Sequence, residues 1–240
     1  MLILAVDTTS AAGGAAIYQD EECLASIGND GPANSYSISL FQMVDHLIAE
    51  ASRRVDPPLK RLAEIELLAV ANGPGSFTGI RVGLAAAQAW AMAFGLRLKG
   101  VSVLEAMVEA AQPAPGHALP ILDAHRGEYY LGIFQKVGNA GFMPTSDGWV
   151  LKPEALAKFV TERANAGPDL TCVVRAHDHA AISLRARLPD RVLWQSVEGT
   201  LLGAIARLGH RAALAGKLDS PSQLDAYYIR RTDAELNLKS

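Results

Sequence analysis

Leu67-Leu68-Ala69-Val70-Ala71-Asn72-Gly73-Pro74-Gly75-Ser76-Phe77-Thr78-Gly79-Ile80-Arg81-Val82-Gly83 contains the change of hydrophobic pattern on which the fold turns. Leu67 to Ala71 is a continuous apolar run of strand length. Arg81 to Phe94 is an alanine-rich apolar run of helix length, closed by Gly95. The glycines between them therefore form a strand-to-helix turn. A helix start carries unpaired backbone N–H groups and a partial positive charge, which suit an anion or a partner's charged side chain. On this reading Gly73, Gly75, Ser76, Thr78 and Gly79 are anion- or nucleotide-contacting candidates. A purely structural turn with Thr78 as N-cap is the alternative, and the residues leave both open.

The spacing departs from the common phosphate and nucleophile loops. Ile80 and Arg81, not Lys, follow Gly79, so G-x-x-x-x-G-K-[ST] fails. Gly73-x-Gly75-x-x-x-Gly79 is not G-x-G-x-x-G, and Ser76 does not sit in G-x-S-x-G.

Upstream, Leu2 to Val6, Ala15 to Tyr18 and Glu22 to Ile27 predict an antiparallel meander, with Asp7 ending the first strand. Leu40, Met43, Val44, Leu47, Ile48 and Ala51 share one helical face, capped near Asn34 or Ser35. Ile38 and Phe41 fall off that stripe and widen the apolar surface, which points to a partner. Downstream, Leu98 to Val101 predicts a strand, and Ser102-x-x-Glu105 opens a helix to about Gln112. The order is βββαβαβα. After a linker at Pro113 to Gly116 the order returns: strands Leu119 to Asp123, Tyr129 to Lys136 and Gly148 to Leu151, then helix Pro153 to Ala164. Strand Leu170 to Arg175, helix Ala180 to Arg187, strand Val192 to Gln195 and helix Leu201 to Leu214 complete the second set. The expected organisation is an α/β chain with subdomains 1–112 and 113–217 and a C-terminal tail 218–240.

This repeated order resembles the duplicated ribonuclease-H-like plan of the actin, hexokinase and Hsp70 superfamily. Each half of that plan ends its first strand in an Asp, and Asp7 and Asp123 stand there. In active members such carboxylates hold Mg²⁺ and position phosphate or water. The alternative is that each Asp caps its own turn.

Composition narrows the function classes. Half of the 240 residues are hydrophobic, enough for a substantial core, and the net charge of −3 with scattered cations leaves no nucleic-acid footprint. Any RNA contact is expected to be indirect. Cys23 and Cys172 lie far apart without metal spacing, as in a reducing compartment. Leu2 to Val6 is cut short by Asp7, and Ile80 to Leu98 is interrupted by Arg81, Gln88, Gly95 and Arg97, so neither a signal peptide nor a membrane span is expected. The expected location is the cytoplasm. His177-Asp178-His179, with Cys172 on the preceding strand, is a rival metal pattern, although such runs are more often polar loops.

Leu4-Ala5-Val6-Asp7-Thr8-Thr9, the glycine loop Gly73 to Gly83, and Asp123-Ala124-x-x-Gly127-Glu128-x-Tyr130 together resemble the TsaB (YeaZ) family of tRNA threonylcarbamoyladenosine biosynthesis proteins. Tyr228-Ile229-Arg230 is similar to that family's closing Y-L-R. The resemblance implies a non-catalytic subunit that pairs with the catalytic paralogue TsaD, which transfers threonylcarbamoyl to adenosine beside the anticodon of tRNAs reading A-starting codons. It implies an ATP-dependent TsaE joining the pair, a homodimer when TsaD is absent, no cofactor or metal of its own, and nucleotide only at the interface shared with TsaD. The implied interface comprises Leu40, Phe41, Met43, Val44 and Leu47 of the first helix with Arg81 and Val82 after the loop. Catalytic paralogues carry two metal-binding histidines along the first long helix, where this chain has Asn34, Ser35 and Tyr36 and only His46 further on. The rival is a stand-alone enzyme, either a glycoprotease-like hydrolase or a small-substrate kinase, for which these residues assemble no metal or nucleophile constellation.

Overall fold

The strand Leu2–Asp7 (β1) reads as an unbroken apolar run because it is covered on both faces. In the computed structural model it pairs antiparallel with Gly14–Gln19 (β2), which pairs antiparallel with Glu22–Gly28 (β3). On its other side β1 pairs parallel with Leu67–Gly73 (β4), and β4 with Arg97–Ser102 (β5), giving the order β3-β2-β1-β4-β5. The structure describes residues 1–29, 31, 35–138, 141–167, 169–227 and 229.

Two helices cover one face of this sheet. Tyr36–Ala51 (α1) and Phe77–Phe94 (α2) bury Leu40, Val44, Leu47, Ile80, Leu84 and Trp90 against Leu4, Val6, Ile17, Leu68, Val70 and Leu98. Ile3, Ala5 and Ala69 are equally buried, on the alternate strand positions. Leu202–Leu214 (α6), the last helix among the described residues, packs on β1, β4 and β5. Its Ala204, Ala206 and Gly209 are small, so its backbone approaches the strands closely; a Cβ on Gly209 would stand 2.7 Å from the Ala69 methyl.

This packing changes the expected organisation. One unit comprises Met1–Ala106 and Thr200–Tyr227, and the other begins at Met107 and runs to Gly199, with Ile229 among the described C-terminal residues. The division falls inside Val103–Ala111 (α3), not at Pro113 to Gly116. Residues 200–227, expected in the second subdomain and the tail, return to the first unit because the small-residue face of α6 fits its sheet.

The second unit has its own sheet, with His117–Asp123 (β6) central. The order is β10-β7-β6-β11-β12, where Tyr129–Leu131 (β7) and Trp149–Leu151 (β10) are antiparallel and Leu170–Arg175 (β11) and Leu193–Val197 (β12) parallel. Pro153–Ala166 (α4) and His179–Ser183 (α5) contribute Leu156, Val160 and Ala181 to a core with Leu119, Ile121, Cys172 and Val174. The strand expected over Tyr129 to Lys136 is split into β7 and Phe134–Lys136 (β8). Both pieces keep one register on β6, with Leu131 opposite Ile121 and Phe134 opposite Ala118. Pro120 falls between these rungs and has no N–H to donate, so the ladder breaks there. Phe142–Pro144 (β9), not expected from sequence, pairs with β8. The expected helix over Ala180 to Arg187 is α5 continued by a single 3₁₀ turn at Leu184–Arg187. Among the described residues no helix is long and apolar enough to cross a membrane.

Two outcomes follow from this packing. Gly209→Val should destabilise the protein by about 1–3 kcal/mol through overpacking against Ala69, measured by chemical denaturation. The Cys172 thiol is pushed up to about 12 by burial, whereas Cys23 is exposed. Native protein at pH 8 should therefore take up one alkyl group by mass spectrometry, and two only after unfolding.

Candidate functional site

β4 ends at Gly73, and α2 begins at Phe77, four residues earlier than the apolar run indicates. The N-cap is Ser76, whose Oγ accepts from the Gly79 N–H at 3.3 Å; Thr78 lies inside the first turn and is not the cap. The segment after β1 lies directly on this turn. Ser76 N donates to the Thr9 carbonyl at 2.7 Å, and Thr8 Oγ1 donates to the Gly79 carbonyl at 2.7 Å. A Cβ on Gly79 would overlap the Thr8 carbonyl oxygen, and one on Gly75 would stand 2.6 Å from that of Thr9. These glycines are needed because two backbones touch there.

Asp7, Gly73, Gly75, Ser76, Thr78 and Gly79 thus all belong to the first unit. Asp7 is fully buried, and its Oδ1 accepts from Thr9 N at 2.9 Å and Thr9 Oγ1 at 2.6 Å. Burial, together with this neighbouring carboxylate, pushes the Tyr36 hydroxyl well above its ordinary pKa; that hydroxyl donates to the Ser10 carbonyl at 3.0 Å. The N–H groups of Ser76 and Gly79 are spent inside the protein.

Asp123 lies in the second unit. Its Oδ1 accepts from His125 N at 2.8 Å, and its Oδ2 lies 3.3 Å from His125 Nδ1. Its own N–H donates to Asp178 Oδ2 at 2.8 Å, while Asp178 Oδ1 accepts from Ala181 N at 2.8 Å as the N-cap of α5. Asp178 of the His177-Asp178-His179 run is thus a buried cap, with both oxygens in use. Cys172 points into the core, and no group of three or more His, Cys, Asp or Glu residues able to hold a metal occurs among the described residues. His125 and Arg126 adopt positive φ (59° and 56°) at the tip of the β6–β7 turn, with His125 exposed.

The helix face differs most from expectation. Leu40, Met43, Val44 and Leu47 are core residues, between 0% and 9% exposed, because the stripe they form faces the sheet. They line the core and do not form the contact surface that the family resemblance implies. Val82 is half-buried against the same core, whereas Phe41 and Arg81 are exposed. The outward surface of α1 instead carries Ile38, 75% exposed, and Phe41, 55% exposed. On α2 the exposed residues Phe77, Arg81, Ala85, Ala89 and Met92 recur at helical spacing and form a second stripe. The two helices meet where the Phe41 ring stands edge-on to Trp90, 5.3 Å between centroids. The Arg81 guanidinium lies 3.8 Å over the Phe77 ring. Sequence reading missed Phe77, Ala85, Ala89 and Met92; the signal available was their spacing opposite the stripe that holds Ile80, Leu84 and Ala87. Asn34, Tyr228 and Arg230 lie outside the described residues.

Residues 33–147 match the family model of TsaD, tRNA N6-adenosine threonylcarbamoyltransferase. Over 164 residues the chain is 32% identical to the tRNA threonylcarbamoyladenosine biosynthesis protein TsaB of Escherichia coli, covering 64% of each chain. It is 29% identical over 135 residues to the TsaB of Bacillus subtilis, covering 56% of each. The chain thus spans less than two thirds of the length of these relatives. The solved structure of YeaZ from Pseudomonas aeruginosa shares the fold, with a TM-score of 0.72 at 23% identity over 95% of this chain and 99% of that one. A motif set that spans both units, the family-model match and these relatives point the same way: this chain is similar to the TsaB proteins of tRNA threonylcarbamoyladenosine biosynthesis, and it shares the fold of YeaZ.

Proposed function

We propose that the chain is a non-catalytic subunit of the apparatus that transfers threonylcarbamoyl to the adenosine beside the anticodon of tRNAs reading A-starting codons, and that it acts by pairing with TsaD. The observation that carries this reading is the exposed apolar surface of two helices in contact, Ile38 and Phe41 on α1 and Phe77, Ala85, Ala89 and Met92 on α2. Apolar side chains clustered on one surface mark interaction sites, and Ala85 and Ala89 allow another helix to approach closely. The names of the TsaB relatives support the pathway. The same face serves a homodimer when TsaD is absent. TsaE joins the pair with ATP, nucleotide binds only at the shared interface, and contact with tRNA is through the partner. The chain works in the cytoplasm, in keeping with its two free thiols.

Two features support a non-catalytic role. Asp7 and Asp123, the carboxylates that active relatives of this architecture use, each accept hydrogen bonds from the residue two places on. Two N–H groups of the glycine turn are already used, that of Ser76 on Thr9 and that of Gly79 on Ser76. The duplicated ribonuclease-H-like plan belongs to the same reading. With β8 and β9 set aside in the seven-stranded second sheet, the main path of each sheet runs third-second-first-fourth-fifth, three antiparallel strands followed by two parallel ones.

Phe41→Asp leaves the core intact, since Phe41 is 55% exposed, and should weaken capture of TsaD by about 30-fold or more, as for a hot-spot residue. It should abolish stimulation of tRNA modification in a reconstituted assay while costing only about 0.5–1.5 kcal/mol of stability, from the lost edge-on contact with Trp90. Undiminished TsaD capture by this variant would overturn the interface. ATP or peptide turnover by the chain alone, lost on Asp123→Ala, would overturn the non-catalytic assignment.

A further inference from the structure

Residues Asp219 to Tyr227 follow α6 and are laid over the first unit by contacts at three places. On β5, Asp219 N donates to the Leu98 carbonyl at 2.9 Å. The Asp219 carboxylate accepts from Gly100 N at 2.8 Å and pairs with Lys99 Nζ at 3.1 Å. At the end of β4, Tyr227 N donates to the Asn72 carbonyl at 2.8 Å, and the Tyr227 carbonyl lies over Gly73, where a Cβ would stand 2.8 Å away. On α2, Gln88 Nε2 donates to two carbonyls of the same segment, Pro221 at 2.9 Å and Leu224 at 2.8 Å. Leu224 and Ala226 pack on the core beneath, and the Leu224 methyl fits over Gly100, where a Cβ would meet it at 2.5 Å.

These contacts hold α2 at two points. Gly73 begins the turn that leads into α2, and Gln88 lies about three turns into the helix, beside Ala85 and Ala89 of the exposed stripe. Both amide N–H groups of Gln88 are committed to one short segment, which is itself tied to the sheet at Asp219. A helix held at its entry and along its flank has its rotation and tilt set relative to the strands. The exposed stripe inherits that setting.

We infer that Asp219 to Tyr227 is a clasp that positions α2, through Gln88, for docking of the partner, so that affinity at the two-helix face depends on a segment outside it. The inference rests on the proposed interface. Gln88 and Asp219 are positioning residues, and neither belongs to the contact stripe itself.

The test measures affinity for TsaD by calorimetry and self-association by sedimentation, on the full chain, for wild type, Q88A, D219A, D219N and F41D. Circular dichroism and thermal melts accompany each variant. Q88A and D219A should weaken TsaD binding by about 10-fold with folded spectra. D219N retains an oxygen for Gly100 N and should restore most of the loss. Full affinity in Q88A and D219A, with F41D impaired, would overturn the clasp and spare the interface. Full affinity in F41D would overturn the interface and the clasp with it. Loss of fold in both Q88A and D219A would overturn a positioning role, since the segment would then be required for folding itself.

Discussion

The contact between the Thr8–Thr9 backbone and the first turn of α2 is the constraint on which the first unit depends. Two peptide segments touch without a side chain between them, tied by Ser76 N to Thr9 and by Thr8 Oγ1 to Gly79. That contact fixes the angle at which α2 leaves the sheet, and so which of its faces meets the core. Ile80, Leu84 and Ala87 go inward, and Phe77, Arg81, Ala85, Ala89 and Met92 outward. The glycine turn is therefore architectural first. It resembles an anion cradle in composition because close approach of any group, a phosphate or another backbone, demands the same missing side chain.

A common local device closes the first strand of each unit. Asp7 accepts from the N–H of Thr9, and Asp123 from that of His125, each two residues ahead. The two differ in what surrounds them. Asp7 is sealed beneath Tyr36 and its turn, whereas Asp123 stands beside an exposed imidazole and is tied through its N–H to Asp178. The His177-Asp178-His179 run owes its composition to the needs of a short helix start, since Asp178 must cap Ala181 while also receiving the Asp123 N–H.

Much of the fold was legible because buried strands leave unbroken apolar runs and helices leave a 3.6-residue period. The less legible parts have specific causes. Periodicity shows which residues share a face but not which face is outward, so Leu40, Met43, Val44 and Leu47 read equally well as core or contact. Ser76 and Thr78 are both competent caps, and only the position of Thr9 decides between them. The break at Pro120 is visible in sequence once the register is known, and invisible before. The destination of α6 was hidden because its Ala204, Ala206 and Gly209 declare a close packing partner without naming one.

The return of α6 to the first sheet also bears on synthesis. β5 ends at Ser102 and α6 begins at Leu202, so about a hundred residues emerge before the second face of that sheet is covered. At roughly 5–20 residues per second, Ile3, Ala5 and Ala69 wait on the order of 5–20 seconds on the ribosome without their helix. The first unit is thus begun first and finished last, and its nascent half presents an apolar sheet surface that chaperones are built to recognise.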